Sequence, residues 1–259
     1  MKTLDNKEWE VSTLEEKMIQ DEFYYGYMGR NSLSSSSVKK LLESPRAYLD
    51  SISKQQEDID AFKFGRLIHE QLLEPDVNYH WNVVEAKDKR SKAWKDAVKE
   101  NIPNTILERD YNYCMNVVQN VKDNDSAFSE LFLMDTEVPK VGLIDGVPFR
   151  AKADAISMDR DKIVDLKTTG DISKFNKWTA MSYGYDCQVY IYCTLFDVDY
   201  SDFRFLVVDK NTGVCGKFDV SEAFYNSGAE KVHRAIDMYK QYFIDNTKDV
   251  KNYLIHGEL

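Results

Sequence analysis

Apolar positions recur along the chain in two rhythms, and one gives way to the other near residue 135. Before that point the spacing is helical. The run Ser34, Ser35, Ser36, Ser37 precedes Val38, Leu41 and Leu42, and serine is a good helix N-cap, so a short helix is predicted near 37–43 with Pro45 marking the stop. Within 61–73, Phe64, Ile68 and Leu72, with Leu67 beside them, predict a second helix that Pro75 ends. Residues 111–121 predict a third. After 135, residues 136–142 and 147–158 read as strands joined by a turn at Asp145-Gly146, and 162–168 as a short apolar strand. Residues 175–196 have the length and period of one helix. Two more strands, 203–208 and 214–220, meet at an Asn211-Thr212-Gly213 turn, and Ser221 caps a last helix running to about Phe243. Residues 1–30 are rich in acids and tyrosines and predict no element.

That order predicts an α/β fold with a central mixed β-sheet flanked by helices. A single domain over 1–259 is expected, mainly helical in 1–130 and sheet-bearing in 131–259. A hydrophobic fraction of 43% over 259 residues is enough to bury one sizeable core. No stretch approaches eighteen apolar residues, so no membrane span is predicted. The polar start, Met1 to Glu10, has no signal-peptide core, and a cytoplasmic protein is expected. Cys114, Cys187, Cys193 and Cys215 form no CxxC pair and no zinc-like spacing, so packed, reduced thiols are expected. A net charge of −10 and a pI near 5.0 argue against a protein that coats nucleic acid. They leave room for an enzyme whose basic residues line one groove beside a bound metal.

The chemistry concentrates in 149–169, FRAKADAISMDRDKIVDLKTT. Asp165 and Lys167, two apart on one strand, project to the same face. If that strand forms a hairpin with the preceding one around Asp159-Arg160-Asp161, Asp154 meets them at one edge. Such a pair of carboxylates, with the Leu166 carbonyl, suits magnesium, which takes hard oxygen ligands and keeps waters. Lys167 can orient an attacking water and offset charge in a phosphodiester transition state. A lone Asp-x-Lys in an acidic protein is more often a solvated surface pattern. Here the strand around it is apolar (Ile163, Val164, Leu166), so its charges are not free decoration. His69, on the apolar helix Gly65-Arg66-Leu67-Ile68-His69, reads alone as a buried histidine. Gln188 and Tyr192 stand one turn apart on one helix face, where ordinary core packing is the plainer reading.

Taken in order, five motifs resemble the RecB-like branch of the PD-(D/E)XK nucleases, and most of all the exodeoxyribonuclease VIII (RecE) family. They are SSSSVKKLLESPRAY, GRLIHEQLLEP, KDKRSKAWK, Asp154 with Asp165-Leu166-Lys167, and Gln188-Val189-Tyr190-Ile191-Tyr192, together covering about 34–195. The resemblance implies a PD-(D/E)XK core and a magnesium-dependent 5′-to-3′ exonuclease on double-stranded DNA ends, with manganese as a substitute ion. It also implies a recombination role beside a single-strand annealing protein, and a ring-like homo-oligomer. By resemblance His69, Asp154 and Asp165 are metal ligands and Lys167 the catalytic lysine. Gln188 and Tyr192 brace the site or the DNA, and Glu137 is a lesser candidate for an extra acid. Where the family shows Arg-Pro before the first aspartate, this chain has Lys152-Ala153 and departs from the pattern.

The basic stretch Lys87, Lys89, Arg90, Lys92, Lys95 and Lys99 is a candidate for phosphate contact, with Trp94 a candidate for stacking on a base; a solvated helix face is the competing reading. Two other functions stay open. One is a PD-(D/E)XK endonuclease or RNA-acting nuclease, since the same trio serves either. The other is a non-catalytic DNA-binding recombination scaffold.

Overall fold

A computed structural model describes residues 1–53, 60–77, 79–99 and 104–255. Helix α1 (Val11–Met18) lies in the segment for which the sequence predicted nothing. A helix follows the serine run as expected: α2 (Ser35–Glu43) is capped by Ser34, whose side chain accepts the Ser37 N–H. Pro45 does more than end it. It is the first residue of α3 (Pro45–Ser53), where a missing N–H and a fixed φ cost nothing. Then come α4 (Asp60–Leu73), β1 (Asn82–Val84), α5 (Lys92–Lys99), β2 (Thr105–Leu107) and α6 (Glu108–Lys122).

The sheet-bearing part holds β3 (Met134–Ile144), β4 (Val147–Ser157), β5 (Ile163–Thr169), α7 (Lys177–Tyr183), α8 (Tyr185–Phe196), β6 (Phe203–Asp209), β7 (Cys215–Asp219) and α9 (Glu222–Tyr239). The single helix expected over 175–196 is in fact two. Gly184 sits at φ +80°, left-handed backbone that glycine adopts without a Cβ clash, and it turns α7 into α8.

Strands β3 to β7 form one mixed sheet in sequence order. All neighbours are antiparallel except β5 and β6, which pair in parallel because α7 and α8 carry the chain back between them. Side chains alternate across β5 and β6. Ile163, Phe203, Phe205 and Val207 join the core under α2, α8 and α9, while Val164, Leu166, Leu206 and Val208 join the core under α4 and α6. The mixed sheet flanked by helices is thus observed, with a small parallel pair β1–β2 at one side.

The cysteines behave as packed thiols: none is in a disulfide, and burial pushes Cys114, Cys187 and Cys193 up to about 12. Among the described residues no helix is long and apolar enough to cross a membrane.

Candidate active site and metal centre

Strands β4 and β5 pair at only two positions, Ala155 with Val164 and Ile156 with Ile163. At the next rung stand Asp154 and Asp165. Asp154 interrupts the ladder, because its Oδ2 accepts the Leu166 N–H at 2.8 Å in place of a strand carbonyl. The strands splay there, and a cleft of about 2170 Å³ opens over the gap, lined by both halves of the chain.

Asp165 is fully buried on the α8 side of the sheet. Its Oδ1 accepts the Gln188 side-chain amide at 2.5 Å. Its Oδ2 lies 2.5 Å from Lys167 Nζ, yet accepts no hydrogen bond of regular geometry. The contact is a close ion pair. Burial alone would lower the Lys167 ammonium, but Asp165 and Asp154 beside it outweigh burial and hold it charged. Tyr192, one turn after Gln188, donates its hydroxyl to the Lys152 carbonyl at 2.9 Å. One face of α8 therefore braces both strands of the splayed hairpin.

Helix α4 brings His69 in from the other side. It crosses β5 closely at Gly65, where an added Cβ would sit 3.0 Å from Thr168 Oγ1. One turn later His69 Nδ1 lies 3.8 Å from Asp154 Oδ2. Burial, then Lys167, pull the imidazole down to about 4, so it is neutral at physiological pH, the form that binds metal.

Glu137, a lesser candidate in the sequence, takes a leading place. The β3–β4 ladder runs from Met134–Ser157 to Ile144–Val147 and omits the rung between Glu137 and Asp154. Glu137 has φ +52°, a left-handed conformation unusual for its residue type. His69, Glu137 and Asp154 each offer a ligand atom within 4.8 Å of the others. Asp165 is outside this tight group, and Gln188 and Lys167 contact its oxygens.

Burial, then the neighbouring Asp154, push Glu137 up to about 8; burial raises Asp165 to about 6 and also raises Asp154. Crowded carboxyl groups that resist ionisation, beside a neutral imidazole, are what a divalent cation relieves. The residues therefore fit such an ion, with His69, Glu137 and Asp154 as its ligands.

Other sequence candidates lie elsewhere. Lys87, Lys89, Arg90, Lys92, Lys95 and Lys99 are exposed and lie outside the lining of the cleft. Trp94 is only 9% exposed, its ring under Lys89 at 5.3 Å, so it presents no free face for a base and the stacking expectation is corrected. Lys152 is held in the cleft, its Nζ 2.6 Å from Asp21 and 3.6 Å from Glu137. The sequence missed Tyr24, Tyr25 and Arg150 as cleft residues. Nothing in their spacing marked them, since they meet through the fold of residues 19–33 against β4.

A protein-family model described as "PDDEXK-like domain of unknown function (DUF3799)" matches residues 34–250, which include the whole cluster. Among solved structures, one described as "Putative exonuclease" from Eubacterium rectale has a TM-score of 0.62 at 13% identity, covering 93% of this chain and 95% of its own. Another, described as a "phage related exonuclease" from Haemophilus somnus, has a TM-score of 0.35 at 14% identity, covering 83% of this chain and 96% of its own. No curated protein matches the chain. At 13% identity the first likeness is one of fold.

Proposed function

The chain belongs to the PDDEXK-like family DUF3799, within the PD-(D/E)XK nuclease superfamily, and from that premise we propose that it is a metal-dependent nuclease degrading linear double-stranded DNA from its ends. One observation carries the reading: Asp154, Asp165 and Lys167 converge where β4 and β5 splay, beside His69 and Glu137, in the wall of a cleft.

A magnesium ion, or manganese in its place, would supply there an acidified water and a polarised phosphodiester. The chain's own groups do the rest. His69, Glu137 and Asp154 hold the ligand positions. Lys167, kept cationic by Asp165 and Asp154, lines the cleft and would offer a donor to the attacking oxygen and to charge growing on the phosphate. Gln188 fixes the Asp165 carboxylate, and Tyr192 fixes the strand that carries Asp154.

The description of the Eubacterium rectale structure favours action at ends. The resemblance to the exodeoxyribonuclease VIII family supports 5′-to-3′ polarity, a recombination setting with a single-strand annealing protein, and a ring-like homo-oligomer.

The test is digestion of linear duplex labelled at the 5′ or the 3′ end, and of a covalently closed circle, with and without magnesium. We expect 5′ label to be released first, the circle to stay intact, and Lys167→Met to lose about 10²-fold or more in rate while still binding duplex. Nicking of the circle would transfer the reading to an endonuclease. Undiminished cleavage by Lys167→Met would remove the site itself.

A further inference from the structure

Tyr185 is the first residue of α8, placed there by the left-handed turn at Gly184. It stands three residues before Gln188 and seven before Tyr192, a spacing that puts all three on one face of the helix. Gln188 bonds Asp165, and Tyr192 bonds the strand that carries Asp154. Tyr185 meets the lysine: Lys167 Nζ lies over its ring, 4.9 Å from the centre. One stripe of α8 thus touches both aspartate-bearing strands and the ammonium between them.

The ring is held in place. Phe175, Tyr183 and Phe205 pack around it, with ring centres 6.3, 5.5 and 5.7 Å from its own. Burial raises the phenol's pKa, so it is neutral at physiological pH, and its hydroxyl makes no hydrogen bond among the described residues. What Tyr185 offers Lys167 is therefore its π face. A lysine ammonium rides on a flexible four-carbon stem, and one carboxylate contact does not fix it. Among the described residues, the groups that meet Lys167 Nζ are Asp165 Oδ2 at 2.5 Å and this ring. The ring attracts the cation through its quadrupole rather than through a lone pair. It can hold Nζ in place and leave N–H groups for oxygens entering the cleft, which Lys167 lines.

We propose that Tyr185 is a positioning residue for Lys167, its ring face fixing the ammonium beside Asp165 by a cation–π contact. That this contact serves cleavage rests on the nuclease reading; that it holds the lysine does not.

Two measurements test it. The first needs no cleavage and uses metal-free, uniformly ¹³C,¹⁵N-labelled protein in EDTA. Protons above an aromatic ring are shielded, so the Lys167 Cε–H signals, assigned through bonds to its backbone, should lie upfield of those of an exposed lysine. They should stay there in Tyr185→Phe and move to the ordinary position in Tyr185→Leu. The second measures cleavage of linear duplex with magnesium as the ring is made electron-poor at nearly constant shape. The series is Tyr185→Phe followed by phenylalanines with one, two and three ring fluorines at the same position. Fluorine weakens the negative face of the ring while its packing against Phe175, Tyr183 and Phe205 is kept. We expect kcat to fall stepwise, by about tenfold from Tyr185→Phe to the trifluoro variant, with KM for duplex held within about twofold. A ring that serves packing alone would give one kcat across the series. That result, or a Lys167 signal indifferent to Tyr185→Leu, would overturn the proposal. Should Tyr185→Leu fail to fold, the fluorinated series decides alone. Wild-type protein with shielded Lys167 signals that cleaves no DNA, with magnesium or manganese, would lose the nuclease reading and keep the ring contact.

Discussion

Gln188 donates its side-chain amide to Oδ1 of Asp165 at 2.5 Å, joining the second turn of α8 to the middle of β5 inside the protein. A buried carboxylate bonded in this way cannot swing. Lys167 on one oxygen and Gln188 on the other set its plane, and that plane sets what the metal cluster meets.

Replacing Gln188 with alanine should therefore weaken metal without removing a ligand of the tight cluster. A positioning partner of this kind is worth about 10–100-fold in metal affinity. The stranded Oδ1 should also cost about 1–3 kcal/mol of stability. Calorimetric titration with magnesium and a urea melt measure the two effects. Unchanged magnesium affinity would show that Asp165 needs no support from α8.

Asp154 has two tasks, and two substitutions separate them. Asp154→Asn keeps an oxygen for the Leu166 N–H, so its stability should stay within about 1 kcal/mol of wild type while magnesium binding is lost. Asp154→Ala leaves that N–H without its acceptor and should add an unfolding penalty of about 1–3 kcal/mol. Tight magnesium binding by Asp154→Asn would remove this carboxylate from the ligand set.

The parts of the site that the sequence revealed are those set by strand geometry. Asp165 and Lys167 share a face because they are two apart on an apolar strand, and Gln188 and Tyr192 share one because they are a helical turn apart. The strands themselves were legible from alternation and from turns such as Asp145-Gly146. What escaped depends on contacts distant in sequence. The weight of Glu137 comes from a left-handed φ opposite Asp154, which no local pattern announces. Arg150 looks like any strand arginine until residues 28–33 close over it. Trp94 sits among lysines, so local charge suggested exposure where the ring is packed inward. The break between α7 and α8 rested on Gly184 alone, within a run whose helical period continues on both sides.

Helix α8 is itself held by a close crossing with α9. A Cβ on Gly228 would lie 2.0 Å from the Asp186 carbonyl oxygen, closer than any packing allows, and Asp186 is pinned there by Lys231 at 2.6 Å and Ser227 at 2.9 Å. Gly228→Ala must push the helices apart, and we expect a loss of about 3 kcal/mol or more, at the upper end of overpacking costs. Gly26→Ala is the control, because a Cβ there meets nothing within 4 Å and should change stability by less than about 1 kcal/mol. Equal melting temperatures for the two variants would contradict the close crossing.

Acid should unfold the protein partly through Glu130. This buried carboxylate receives Lys162 at 2.7 Å, Arg204 at 3.0 and 3.1 Å, and Lys217 at 3.2 Å, tying the segment before β3 to β6, β7 and the start of β5. Burial alone would raise its pKa, but the three cations outweigh burial and pull it from an ordinary 4.5 down to about 2. A carboxyl whose folded pKa is depressed contributes stability that is full above its unfolded pKa and is lost as pH falls toward the folded one. The window is thus from about 4.5 down to about 2. The cations are partly solvated, so Glu130→Gln should cost about 1–3 kcal/mol at neutral pH, less than a fully buried pair. It should cost almost nothing near pH 2, where the wild-type carboxyl has begun to protonate. Urea melts of both proteins from pH 7 to pH 2 should converge as acid is added, and a gap that stays constant with pH would mean that the charge of Glu130 is not what holds these strands together.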